Sequence, residues 1–214
     1  MARGLFITIE GGEGAGKSTH LARLAEALRQ SGREVVATRE PGGTEDAEAI
    51  RALLVGGAPG RWDPVAETLL HYAARTQHVA RLVRPTLERG AAVLSDRFAD
   101  STMAYQGFGQ GVARETIRAI HAASLGRFAP DLTLILDLPV ETGLARAAGR
   151  RATNRYERFD VAFHARVRDG FLTIAREEPG RCAVIDASRP PDAVWAAIVM
   201  AVRGRLRLDL EAAA

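Results

Sequence analysis

The sequence predicts a single α/β domain, residues 1–214, built on a five-stranded parallel sheet flanked by helices. Two observations carry this expectation. Five short apolar, β-branched runs alternate with longer stretches whose apolar residues recur at helical spacing. Strands joined by crossover helices pair in parallel and are covered on both faces. The first crossover also opens with Gly11-Gly12-Glu13-Gly14-Ala15-Gly16-Lys17-Ser18. That run fits G-x-x-x-x-G-K-[ST] and stands between a strand and a helix, the context a phosphate-binding loop requires. The expected architecture is therefore the three-layer P-loop NTPase fold.

Residues 5–9 form the first apolar run and read as a buried strand. After the loop, Leu21, Leu24, Ala25 and Leu28 recur at i, i+3, i+4, i+7, and Gly32 ends that helix. Residues 34–38 read as the second strand. It runs into Arg39-Glu40-Pro41-Gly42-Gly43-Thr44, a loop with two glycines and a rigid proline. Thr44 is placed to cap a helix through Ala47, Ile50, Leu53 and Leu54. Residues 56–60 read as a loop, and Pro64 opens a helical pattern reaching Glu88, with Pro85 near its end. Gly90 precedes a strand at 91–94 that ends at Ser95-Asp96-Arg97. Gly107, Gly109 and Gly111 read as a flexible loop, followed by a helix over 114–125 and a strand over 132–137. Asp137 is the expected N-cap of a helix that Pro139 opens. Basic residues then interrupt the periodicity at 149–155. A helix over 159–176, a strand over 182–185 and a final helix from Pro190 or Pro191 to Leu206 complete the chain.

Composition bounds the rest. The 47% hydrophobic and 26% charged content is ordinary for a globular domain. The net charge is only +3, and the arginines are scattered among carboxylates. No nucleic-acid partner is expected from such a distribution. Cys182 is the single cysteine and reads as a buried thiol suited to a reducing cytoplasm. No secretory h-region opens the chain. The longest apolar run, 193–202, is half the roughly 20 residues of a membrane span, so no membrane partner is expected. Of 29 basic side chains Lys17 alone is lysine. Lysine persists where a compact, flexible ammonium is needed rather than a planar fork.

In such a loop, glycines let successive N–H groups turn toward phosphate oxygens, and the following helix adds its positive end. Gly11, Gly12, Glu13, Gly14, Ala15, Gly16, Lys17, Ser18 and Thr19 are thus the candidate ATP-phosphate cradle. Lys17 is the mobile cation, and Ser18 a ligand for Mg²⁺. A nucleotide-dependent switch is disfavoured because an N-K-x-D guanine element needs a lysine outside the loop. A strand-binding motor is disfavoured because no basic–aromatic platform stands out. A small-molecule kinase remains. Such an enzyme must withdraw water from the transferring group. The arginines at about 149–156 suit a short lid.

Over nearly its whole length the chain resembles bacterial thymidylate kinase. The matching residues are Glu10 through Ser18, Thr38-Arg39-Glu40-Pro41-Gly42-Gly43-Thr44, and Asp96-Arg97 followed by Ser101 and Ala104-Tyr105-Gln106-Gly107. Pro130 through Asp137 and Ile185-Asp186-Ala187 also match. The resemblance implies transfer of the ATP γ-phosphate to dTMP in dTTP biosynthesis, in a cytoplasmic homodimer. Kinases for another nucleoside monophosphate, dUMP above all, are the alternative.

By the same resemblance Glu13 would bind the deoxyribose 3′-hydroxyl, and Arg39 and Arg97 the acceptor phosphate. Asp96 would help place Mg²⁺. Arg75 and Gln106 would meet the thymine edge, with Tyr105 by the sugar and Ser101 and Thr102 on the base side. Arg51 is a weaker site candidate. Two departures stand out. His71 replaces the usual phenylalanine base platform four residues before Arg75. Gly14 stands where some relatives place an arginine in the loop. The catalytic arginine is then expected from the lid, with Arg155 first and Arg150 and Arg151 behind it, alongside Lys17, Arg97 and Asp96.

Overall fold

The computed structural model describes residues 4–148, 155–208 and 210. Its sheet has five strands in the order β2-β3-β1-β4-β5, and every pairing is parallel. The strands are β1 (Phe6–Gly11), β2 (Val35–Arg39), β3 (Ala92–Asp96), β4 (Leu132–Asp137) and β5 (Cys182–Asp186). Central β1 is buried at every position, whereas edge strand β2 is half exposed. That difference is what a sheet covered on both faces imposes on its sequence. Because all strands run the same way, Gly11, Arg39, Asp96 and Asp137 emerge along one edge. Ligands of open α/β sheets bind beyond that carboxyl edge.

One face carries α1 (Lys17–Gln30) and α9 (Pro191–Leu206). There Leu21, Leu24 and Leu28 meet Ile7, Ile9, Leu134, Trp195 and Ile198. The other face carries α3 (Pro64–His78), α8 (Val161–Glu177) and the segment around Tyr105. On it, α2 (Glu45–Val55) packs against α3. The remaining helices are α4 (Arg84–Glu88), α5 (Ala99–Thr102), α6 (Arg114–Leu125) and α7 (Val140–Ala148).

Several elements depart from expectation. The long helix ending near Pro85 is continuous only by means of a π-helical stretch, Val79–Val83, between α3 and α4. Proline removes one N–H and crowds the carbonyl four residues earlier. A wider turn just before it accommodates both, a common use of π geometry. Gly107 and Gly109 do not form a loop but belong to a π-helical stretch, Met103–Gly109, and Gly111 lies in the loop that follows it. The two helical glycines serve close packing. A Cβ at Gly109 would lie 2.6 Å from the Phe163 ring, and one at Gly170 2.8 Å from Phe108. Thr44 precedes α2 without a side-chain capping bond. Asp137 does not cap α7; both its oxygens pair with Arg168, at 2.7 and 2.9 Å. Cys182 is buried as expected, and burial pushes its thiol up to about 12.

Candidate active site

The loop between β1 and α1 has its glycines where only glycine is unstrained. Gly11, Gly14 and Gly16 have φ of 133°, 68° and 85°. Gly14 also packs against the Gly143 backbone of α7, so a side chain there would collide with main chain. This explains why no arginine occupies the position. Lys17 opens α1, and its Nζ donates to the carbonyls of Gly11 and Gly12, at 3.2 and 2.7 Å. Burial, then the neighbouring Arg97 charge, depresses its ammonium to about 8. A polar cavity of about 190 Å³ borders this loop, with Ser18, Arg39, Arg51, Asp96 and Arg97 on its wall. Lys17, Ser18 and Asp96 therefore share one cleft. Arg39 is largely exposed and paired with Glu48 at 2.9 Å. Arg51 donates to the Pro41 carbonyl at 2.7 Å.

Arg97 joins this cleft to a second one. It sits just past β3 at φ 73°, an uncommon conformation for a bulky residue. Its Nη1 reaches the Gly11 carbonyl and Ser101 Oγ, both at 3.0 Å. Its Nη2 reaches Glu13 at 3.1 Å and Tyr105 Oη at 3.0 Å. Burial opposes its charge, but Tyr105, Glu13, Asp96 and Glu10 outweigh that and raise its pKa. Glu13 also accepts from Tyr105 Oη at 2.8 Å. Burial would raise its pKa, yet Arg97 and Lys17 prevail and lower it.

The second cavity, about 90 Å³, is lined by His71, Arg75, Ser101, Tyr105, Gln106 and Tyr156 together with Glu13 and Arg97. Arg75 is buried beneath the rings of Tyr72 and Phe98. Its Nε donates to Glu40 at 2.7 Å, and its Nη2 to the Phe98 carbonyl and Thr102 Oγ1, at 3.1 and 3.0 Å. Its Nη1 has no partner among the described residues. Gln106 Nε2 donates to Glu67 at 2.8 Å, while Gln106 Oε1 has no partner among the described residues. Thr102 thus supports Arg75 from behind and does not itself line the cavity. His71 Nε2 meets Tyr156 Oη at 2.9 Å. Burial, then Arg75 and Arg155, pushes the His71 imidazole down to about 3, so the ring is neutral at physiological pH. The phenolic proton of Tyr156 goes to Glu67, so His71 donates from Nε2.

Arg155, expected over the transferring phosphoryl, points elsewhere. It is fully buried, pairs with Glu67 at 2.6 Å and donates to the Leu54 carbonyl at 3.0 Å. A guanidinium paired this closely and shielded from solvent is held as an anchor. Arg150 and Arg151 lie outside the described residues. Three buried carboxylates went unnoticed as site residues. Glu10 accepts from Phe98 N at 2.7 Å and Ser101 Oγ at 2.5 Å, and burial, then Asp100, raises it to about 8. Glu40 holds Arg75 and His78. Glu67 holds Arg155, Gln106, Gln110 and Tyr156. The one sequence signal for Glu67 was an acid at i, i+4, i+8 spacing with His71 and Arg75 on a single helix face.

Residues 9–198 match the family model described as thymidylate kinase. A thymidylate kinase of Caulobacter vibrioides is 57% identical over 97% of this chain and 100% of its own length. One of Geobacter sulfurreducens is 48% identical over 95% of this chain and 98% of its own. The crystal structure of thymidylate kinase from Ehrlichia chaffeensis superposes with a TM-score of 0.71 at 37% identity, covering 86% of this chain and 93% of that one.

Proposed function

Because this chain belongs to the thymidylate kinase family, we propose how its residues divide the work of that reaction. The enzyme transfers the γ-phosphate of ATP to dTMP, giving dTDP and ADP. An oxygen of the dTMP phosphate forms the new bond to Pγ as the bond to the β–γ bridging oxygen breaks. The acceptor is already ionised near neutral pH, so no general base is assigned. Catalysis is positioning plus charge stabilisation.

The loop from Gly11 to Thr19 would cradle the triphosphate, with Lys17 released from the Gly11 and Gly12 carbonyls to phosphate oxygens. Arg97 and Arg39 would bring the acceptor phosphate to the same cleft. Arg150 and Arg151, in the basic segment of the proposed lid, would supply further positive charge. Among the described residues no group of three His, Cys, Asp or Glu side chains could cage a metal. Ser18 and Asp96 on one cavity wall instead suit Mg²⁺, which retains waters and takes phosphate oxygens as ligands. Held there, the ion would neutralise phosphate charge.

One observation carries the acceptor assignment. Arg75 Nη1 and Gln106 Oε1 are buried without partners among the described residues, on residues that line one small cavity. One donor and one acceptor on a shared cavity complement thymine, whose O4 adjoins N3–H. Glu13 would take the 3′-hydroxyl, and Tyr105 would crowd a 2′-hydroxyl. His71 and Tyr156 line the same cavity. We further propose a single domain that works as a homodimer in the cytoplasm; no described helix is long and apolar enough to cross a membrane. Purified protein with ATP and Mg²⁺ against dTMP, dUMP, dCMP, AMP and GMP tests the assignment. Transfer to dTMP is expected to lead. Intact ATP binding without transfer to any acceptor would refute it.

A further inference from the structure

Glu67 is fully buried in α3 and is not among the residues lining the acceptor cavity. Its Oε1 accepts from Gln106 Nε2 at 2.8 Å, Gln110 Nε2 at 2.9 Å and Tyr156 Oη at 3.0 Å. Its Oε2 accepts from Arg155 Nη2 at 2.6 Å. A carboxylate paired with arginine only accepts, so every group facing it must donate. Were the Gln106 amide reversed, its carbonyl would face that carboxylate and its NH₂ would turn away, leaving buried polar atoms opposed. The orientation of Gln106 is therefore dictated from outside the cavity.

We infer that Glu67 is a positioning residue that sets the hydrogen-bond polarity of the acceptor pocket, so that the pocket selects an imide pyrimidine and rejects an aminopyrimidine. The inference rests on the assignment of this cavity to the acceptor base. With Gln106 Nε2 held by Glu67, its Oε1 is left as the acceptor that Gln106 can offer, and Nη1 is the donor that Arg75 can offer, on a cavity both residues line. Thymine and uracil offer a carbonyl and a ring N–H at those two positions. Cytosine offers an amino group and a bare ring nitrogen, which are mismatched at both. Sites built on directed hydrogen bonds discriminate far more strongly than apolar pockets do.

The test is the Glu67→Gln variant. Arg155 claims the new amide's carbonyl, so its NH₂ faces Gln106 and turns that amide over. The ratio of kcat/KM for dTMP to that for dCMP is expected to fall at least about tenfold, the loss of part of a discrimination that directed hydrogen bonds make large. The ratio for dTMP to dUMP should stay within about twofold, since the methyl contact is untouched. Glu67→Asp retains acceptor-only chemistry and should keep the dTMP-to-dCMP ratio even with a lower rate. Should Glu67→Gln fold poorly, Glu67→Met/Arg155→Met removes both charges together with the acceptor that holds the Gln106 amide, and the same ratio is expected to fall. An unchanged dTMP-to-dCMP ratio in a folded Glu67→Gln or Glu67→Met/Arg155→Met variant would overturn the inference. So would both ratios falling together, or Glu67→Asp losing discrimination equally. If the wild type does not phosphorylate dTMP, the functional assignment fails instead. Calorimetric Kd values for dTMP and dCMP then test the polarity without turnover.

Discussion

Replacing Gly170 with alanine should weaken the fold and the acceptor site together. Gly170 lies within α8 where that helix crosses the π-helical segment Met103–Gly109. A Cβ there would lie 2.8 Å from Phe108 Cγ and Cδ2 and 2.9 Å from its Cβ. Alanine gains about 1 kcal/mol over glycine in a helix interior. Overpacking costs about 1–3 kcal/mol. The atoms struck lie at the root of Phe108, so ring rotation alone cannot relieve the clash, and the upper part of that range applies. A net loss of about 1–2 kcal/mol follows, or a fall in Tm of roughly 2–8 °C for a chain of this size. Gly204 in α9 is the control, because a Cβ there meets none of the described residues within 4 Å. Gly204→Ala should raise Tm by a few degrees, from about 0.5–1 kcal/mol of helix propensity. Tyr105 and Gln106 ride on the segment that Gly170 supports. The dTMP KM of Gly170→Ala should therefore rise while the ATP KM holds. Thermal unfolding and steady-state kinetics read both effects. A Tm for Gly170→Ala at or above wild type, or equal shifts for the two alanine variants, would refute the packing account.

Two further outcomes are expected. Arg155→Ala leaves Glu67 buried without its cation, a loss of about 3–5 kcal/mol; scanning calorimetry should show a large fall in Tm, and an unchanged Tm with lost kcat would return Arg155 to the transferring phosphoryl. Lys17, held down to about 8, should regain its proton when a triphosphate arrives. ATP binding is then expected to take up a proton between about pH 8 and 10, measured by titration calorimetry in buffers of different ionisation enthalpy, and no uptake would contradict the placement. The unliganded protein has the linked behaviour. Its unfolded state binds more protons than the folded state from about 8 to the ordinary 10.5, so stability attributable to Lys17 rises with pH across that window.

What the chain discloses unaided depends on the range of the interaction. The α6 and β4 boundaries follow from local periodicity and matched expectation at 114–125 and 132–137. The glycine loop and its neighbours Lys17 and Ser18 are contiguous in sequence, so they were legible as a unit. Gly107 and Gly109 misled because glycine signals either freedom or close approach. Only the presence of Ile117 and Met103 beside Gly107, and of Phe163 and Val167 beside Gly109, decides between them. Arg155 misled for a related reason. Its partner Glu67 is 88 residues away, and nothing local shows that the pair is buried. Glu10 and Glu40 escaped notice likewise, since a carboxylate reads as a surface group until its distant donors are known.

Lys17 bears the chain's sole ε-amine, and its depressed basicity frees a lone pair near pH 8 that an ordinary lysine keeps protonated. Amine-selective acylating reagents therefore meet one side-chain target, seated in the nucleotide cleft, with arginines elsewhere inert to them. A bound nucleotide covers that target, so the extent of covalent tagging at Lys17, read apart from the α-amino group, gauges how full the cleft is. The molecule carries its own occupancy reporter without any engineered label.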